Sequence, residues 1–199
     1  MNDFGDNMDK TIAILGATGS VGTQAIDVAR TRGYRVDLLT ANRDVSAMEK
    51  YARELSPRFV AMADEAAASE LRLRLADTRV RVLSGDGGVL EGIYSTSADT
   101  VVNSILGEAG LMPTLAVIDT NKRLALANKE SLVIAGDIVM ARARERGVTI
   151  LPVDSEHSAI YQSMKWKFYS FLKYFHSSTH KELLGKPYLA CAHSIEAQV

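Results

Sequence analysis

The chain has 199 residues, 47% of them hydrophobic and 24% charged, with a formal net charge of −1. That is ordinary globular material for one domain and a remainder, and its balance gives no electrostatic case for nucleic acid or an anionic membrane as a partner. The single Cys191 excludes an intrachain disulfide and a cysteine-held metal centre, and no run approaches the ~18 apolar residues of a membrane span.

Residues 1–10 carry Asp3, Asp6, Asp9 and Lys10 without an apolar run, unlike a secretory or transit signal, so the expected setting is the cytoplasm. From there apolar runs of strand length recur at 11–15, 35–40, 59–62, 80–83, 100–102, 124–127 and 148–153. Helical spacing fills 21–32, 45–55, 65–75, 112–121 and 131–146. Gly33, Gly110, Gly147, Pro57 and Pro113 punctuate segment ends. Nearly continuous apolar strands alternating with helices predict an α/β fold, a doubly wound parallel sheet covered on both faces. The glycine-rich stretch 84–97 reads as a loop with one short helical patch.

Gly16-Ala17-Thr18-Gly19-Ser20-Val21-Gly22 follows the first strand and opens a helix. Its spacing is a variant of the dinucleotide fingerprint: Gly16 for a tight turn, Gly19 for close approach of a pyrophosphate, Gly22 for helix–strand packing, and a helix N-terminus for the anion. A plain strand-to-helix turn would share the glycines, but the position on the first strand of a βαβ unit is the one the binding mechanism demands. The second strand ends in Asn42-Arg43-Asp44, where a cation suits the 2′-phosphate of NADPH. Asp44 could instead read a ribose hydroxyl or cap the next helix.

At Asn128-Lys129-Glu130-Ser131 a short strand meets a helix. An N-cap role for Asn128 and a dipole-favoured Glu130 explain two of these residues. Lys129 is left facing the positive end of a helix, which suits an anion or polarised oxygen nearby. Asp154 and Glu156, two apart after the last apolar run, point the same way in extended backbone. Their hard oxygens suit Mg²⁺ or Mn²⁺, and a solvated strand end is the alternative.

Together, Gly16 to Gly22, Ala127 to Ser131 and Leu151-Pro-Val-Asp-Ser-Glu-His157 resemble the 1-deoxy-D-xylulose 5-phosphate reductoisomerase family. Leu55-Ser-Pro-Arg58, Gly110 to Leu115 and Ala159 to Ser163 support the match, which runs from about 11 to 163. The resemblance implies a Rossmann-like NADPH domain over 11–150 and the start of a catalytic domain over 151–164. It implies Thr18, Gly19, Ser20 and Val21 on the cofactor phosphates, Asn42, Arg43 and Asp44 around the adenosine ribose, and Asn128 and Glu130 near the nicotinamide half. Lys129 and Ser155 would hold the sugar phosphate, and Asp154 and Glu156 would be two of three carboxylate ligands of Mg²⁺ or Mn²⁺, with Glu156 also against substrate. The implied reaction is metal-assisted rearrangement of the ketose phosphate and hydride transfer from NADPH, in a homodimer, giving 2-C-methyl-D-erythritol 4-phosphate for isoprenoid synthesis.

After Met164 the resemblance stops and the composition changes. Residues up to 164 hold 14 Arg and 4 Lys, whereas 165–199 hold no Arg, 5 Lys, seven of the 13 aromatics and three of the four His. Formal charge passes from −4 before the break to +3 after it. The expectation is non-family sequence produced by frameshift, truncation or fusion, with an interfacial helix over 164–175 as the alternative. His176 and His180 have metal-clamp spacing, but without a nearby acid or third His they read as solvated. The third metal ligand, the phosphate-binding residues and the lid of the family have no counterpart here. A catalytically inactive NADPH-binding fragment is therefore the rival to an active enzyme. Another Rossmann oxidoreductase, such as aspartate-semialdehyde dehydrogenase, would need a nucleophilic Cys in mid-chain.

Overall fold

The structure, a computed structural model, describes residues 10–153. Seven strands form one wholly parallel sheet: β1 (Thr11–Leu15), β2 (Arg35–Ala41), β3 (Phe59–Met62), β4 (Arg81–Ser84), β5 (Thr100–Asn103), β6 (Arg123–Leu126) and β7 (Ile150–Pro152). Their spatial order is β4-β3-β2-β1-β5-β6-β7, so the winding reverses between β1 and β5. The helices between them are α1 (Ser20–Arg32), α2 (Val45–Leu55), α3 (Glu65–Arg74), α4 (Gly85–Ser95), α5 (Leu111–Asp119) and α6 (Lys129–Arg146), with a 3-10 turn over Gly107–Gly110.

The strands are mostly apolar because both sheet faces are covered. Ile12 and Ile14 of β1 point into a core with Ile26 of α1, Met48 of α2 and Leu71 of α3. Ala13 and Leu15 point the other way, into a core with Ile93 of α4, Val117 of α5 and Val139 of α6. One residue interrupts this alternation. Pairing steps from Ile12↔Val36 to Ala13↔Leu38 and passes over Asp37, a bulge that leaves Val36, Leu39 and Ala41 on one face and Leu38 on the other.

The buried Asp37 carboxylate accepts from Thr96 Oγ1 at 2.7 Å, Ser97 N–H at 2.9 Å and Arg58 Nη2 at 3.3 Å. Burial pushes its pKa up, but these donors and the Arg58 charge together outweigh it and hold the carboxyl below its ordinary value. The group thereby staples β2 to the α4–β5 connection.

The six elements from β1 to α3 begin and end within a residue of expectation, whereas 84–97 does not form a loop. It is the three-turn helix α4. Gly85, Gly87, Gly88 and Gly92 hide its periodicity, and one reason for them is close packing: a Cβ on Gly92 would lie 2.9 Å from Leu38 Cδ1. Helix propensity lost to glycine is recovered by burial against the sheet. Among the described residues, no helix is long and apolar enough to cross a membrane.

Candidate functional site

The reversal between β1 and β5 opens a crevice at the strands' C-terminal ends, the position where wound sheets take ligands. A cleft of about 590 Å³ occupies it. Gly16, Thr18 and Gly19 line it after β1, Thr40 and Asn42 at the end of β2, and Asp86 and Leu90 on α4. Ile105, Leu106, Met112 and Pro113 form its other wall, and Leu106 and Met112 leave their side chains largely exposed.

The glycine turn is fixed by backbone contacts. Gly16 has φ +79°, and its N–H donates to Thr40 Oγ1 at 3.1 Å while Ala17 N–H donates to the Thr40 carbonyl at 2.7 Å. Ser104 Oγ, after β5, donates to the Leu15 carbonyl at 2.7 Å, so the turn is held from both neighbouring strands. A Cβ on Gly22 would lie 2.1 Å from the Gly16 carbonyl oxygen, which brings the first turn of α1 directly onto the β1 end. The N-cap of α1 is Gly19, with no side-chain cap. The first-turn N–H groups of Ser20, Val21 and Gly22 are thus not taken by a capping side chain, and a helix N-terminus in that state favours an anion. By contrast α2, α3 and α6 are capped by Asp44, Asp64 and Asn128.

Asp44 caps α2: its Oδ1 accepts from Ala47 N–H at 2.9 Å. Arg43, 78% exposed, projects beside the cleft with its Nε 3.0 Å from Asp64 Oδ2. Asp64 Oδ1 accepts from Ala67 N–H at 2.9 Å, and this bond first, with the nearby Arg43 charge, lowers the Asp64 pKa despite partial desolvation. Asn42 lines the cleft; Arg43 and Asp44 stand outside its wall.

Asn128 is buried and every polar atom of its side chain is engaged. Oδ1 accepts from Ser131 N–H at 2.7 Å and from the Ser131 hydroxyl, and Nδ2 donates to the carbonyls of Ile105 and Gly107, the latter at 2.8 Å. It thus clamps the cleft wall after β5 to the start of α6. Lys129 is exposed and Glu130 half-buried on the first turn of α6. β6 and β7 run in register with Leu126 beside Pro152, and Val153 N–H donates to the Leu126 carbonyl at 3.1 Å. Asp154, Ser155 and Glu156 lie outside the described residues. Among the described residues no group of three or more His, Cys, Asp or Glu is placed to hold a metal ion.

Sequence reasoning missed Thr40 and Ser104, which hold the glycine turn, and the α4 wall. Thr40 and Ser104 carry no motif, because their role is set by strand neighbours far apart in sequence. The signal for α4 was present in the apolar spacing of Val89, Leu90 and Ile93, masked by glycine.

Residues 12–136 match the family model described as 1-deoxy-D-xylulose 5-phosphate reductoisomerase. A protein of that name from Agathobacter rectalis is 50% identical over 157 residues, covering 78% of this chain and 41% of its own length. The solved reductoisomerase of Zymomonas mobilis, in complex with NADPH, superposes with a TM-score of 0.74 at 40% identity, covering 77% of this chain and 41% of its own. A reductoisomerase solved with NADPH, fosmidomycin and magnesium superposes equally, with a TM-score of 0.74 at 42% identity, over 77% of this chain and 38% of its own. The chain spans about two fifths of the length of the relatives it matches. With the glycine turn, the wound sheet and a family match over most of its described residues, the chain belongs to the 1-deoxy-D-xylulose 5-phosphate reductoisomerase family.

Proposed function

We propose that this chain binds NADPH in the cleft between β1 and β5 and supplies the cofactor part of an enzyme that converts 1-deoxy-D-xylulose 5-phosphate into 2-C-methyl-D-erythritol 4-phosphate. Residues 11–150 are the cofactor unit, 151–164 begin the catalytic unit, and the sequence of 165–199 is a tail unlike the family. The observation that carries the reading is the turn from Gly16 to Gly22, where side chains at Gly16 and Gly22 are excluded by backbone contact, a Cβ at Gly19 would stand 3.3 Å from the Gly16 carbonyl oxygen, and the helix start is uncapped. A pyrophosphate fits such a cradle by charge and by space.

Thr18, Gly19, Ser20 and Val21 then take the phosphates. Asn42 and Arg43 take the ribose and its 2′-phosphate, while Asp44 contributes by fixing the start of α2. The apolar wall of Ile105, Leu106 and Met112 excludes water from the nicotinamide half, with Asn128 holding that wall and Glu130 beside it. NADPH, when bound, supplies the hydride. Lys129, at the mouth of the α6 start, orients the sugar phosphate by charge.

Asp154 and Glu156 are assigned to Mg²⁺ or Mn²⁺ by their carboxylate chemistry, with Ser155 on the substrate. Assembly as a homodimer and a cytoplasmic setting complete the reading. A binder without turnover is the second reading, favoured by the change of composition after Met164.

The two are separated by following NADPH oxidation with deoxyxylulose phosphate and Mn²⁺ while measuring NADPH binding in parallel. Turnover supports the full activity. Binding without turnover leaves the cofactor assignment and overturns the activity for this chain. No binding overturns both.

A further inference from the structure

At the N-terminal ends of β2, β3 and β4, opposite the cofactor cleft, lies a second cavity of about 580 Å³. Four arginines line it, Arg35, Arg53, Arg58 and Arg79, with the one carboxylate Asp37 among them. Parallel pairing sets Leu38 beside Phe59 and Phe59 beside Arg81, and Arg81 N–H donates to the Arg58 carbonyl at 3.0 Å. The starts of the three strands, with Arg35, Arg58 and Arg79 at or just before them, therefore stand about 4.8 Å apart in turn. Guanidinium groups brought this close repel one another unless negative charge stands among them.

The carboxylates of the chain compensate only part of this charge. Arg53 is fully engaged, with Nη1 and Nη2 donating to Asp77 at 2.9 and 3.1 Å and Nε to Glu49 at 3.0 Å. Asp37 is shared between Arg58 Nη2 at 3.3 Å and Arg35 Nη2 at 3.9 Å, and it also accepts from Thr96 and Ser97. Arg79 is exposed and has no carboxylate, hydrogen-bond or ring partner among the described residues. One carboxylate against Arg35, Arg58 and Arg79 leaves two positive charges unmatched.

Two of these three groups are held in place by the fold. Arg58 Nη2 donates to the Ser95 carbonyl, and its guanidinium lies over the Phe59 ring, 4.5 Å from the centroid. Arg35 Nε donates to Thr11 Oγ1 at 3.3 Å and its Nη2 to Ser97 Oγ at 3.1 Å. Arg58 Nε and Nη1 and Arg35 Nη1 keep N–H groups with no acceptor among the described residues. Donors fixed in advance lower the ordering cost of binding, and the guanidinium fork matches phosphate oxygens. Val36, Ala52 and Pro57 line the same cavity as buried apolar residues.

We propose that this cavity binds a small phosphate monoester as its dianion, with Arg35, Arg58 and Arg79 donating to the phosphate and Val36, Ala52 and Pro57 receiving the organic part. Two unmatched positive charges balance a dianion, whereas a carboxylate would leave one of them. The volume falls within the ~300–1,000 Å³ of small-molecule sites. The site sits at the other end of the strands from the glycine turn, and its assignment does not rest on NADPH binding.

Titration calorimetry of the full chain with phenyl phosphate and with inorganic phosphate, at constant ionic strength and well above the second phosphate pKa of about 6, tests it. The expected result is one saturable site per chain that takes phenyl phosphate more tightly than inorganic phosphate. Arg79→Gln breaks no contact within the described residues and is expected to weaken phenyl phosphate about tenfold or more, the loss of one charge-assisted hydrogen bond. Arg79→Lys, which keeps the charge, should weaken it less, and NADPH binding should be the same in all three proteins. Absence of saturable binding would overturn the proposal, as would binding unmoved in Arg79→Gln while its circular dichroism matches the parent chain. Equal affinity for the two probes would mark an adventitious ion only, and a matching loss of NADPH affinity would make Arg79 a structural residue; either result also overturns it.

Discussion

The carbonyl oxygen of Gly16 lies 2.1 Å from where a Cβ on Gly22 would stand, so the end of β1 and the first turn of α1 touch through backbone alone. That contact sets the floor of the cleft. Gly22→Ala must push α1 off the strand, and overpacking of this kind costs about 1–3 kcal/mol. The expected result is a lower urea midpoint together with NADPH affinity reduced about tenfold or more. An alanine variant with parental stability and affinity would refute the cradle.

Arg43 is predicted to serve the 2′-phosphate. A charge-assisted hydrogen bond of about 1.5–3 kcal/mol corresponds to roughly a tenfold or greater loss of NADPH affinity in Arg43→Ala. NADH affinity should not move, because NADH lacks that phosphate. Parallel titrations with both nucleotides check this, and equal loss for the two would assign Arg43 to some other part of the cofactor.

Asn128 tests the link between folding and site. Asn128→Asp keeps the oxygen that caps α6 but removes the Nδ2 donor to Ile105 and Gly107 and sets a carboxylate against their carbonyls. Loss of a buried donor costs about 1–3 kcal/mol. The cleft wall should loosen, so both the denaturation midpoint and NADPH affinity fall. A Cβ on Gly110 would meet Asn128 Nδ2 at 2.5 Å, so Gly110→Ala is expected to act on the same two readouts.

Asp37 gives the protein an acid limb. Its folded pKa is held below the ordinary value, so as pH falls the unfolded chain takes up the proton first. The stabilisation is fully present above the unfolded carboxylate pKa of about 3.9 and disappears as pH drops through the folded value. Asp37→Asn should be less stable than the parent at neutral pH by about 1–3 kcal/mol, with the gap narrowing below about pH 4. Urea midpoints measured across pH for both proteins decide it; a constant gap would show that the carboxylate charge is not what stabilises the bulge.

The wound sheet was legible because its strands are buried on both faces and read as uninterrupted apolar runs, as at Ile12 to Leu15. The glycine turn was legible because backbone contact demands glycine at fixed spacing. What stayed hidden depended on contacts between distant segments: Thr40 and Ser104 holding Gly16, and Asp37 lying across the bulge from Thr96. Helix α4 stayed hidden because glycine weakens the local signal that packing on Leu38 restores. Asn128 read as a cap, and it is one; its second role as the clamp on Ile105 and Gly107 needed the fold to bring those carbonyls to it.

Titration of the chain with NADPH, followed by nucleotide fluorescence and repeated with Gly22→Ala, tests the central claim most directly. The account predicts saturable binding at one site per chain that the substitution weakens about tenfold or more. No saturable binding, or binding that Gly22→Ala leaves unchanged, would contradict it.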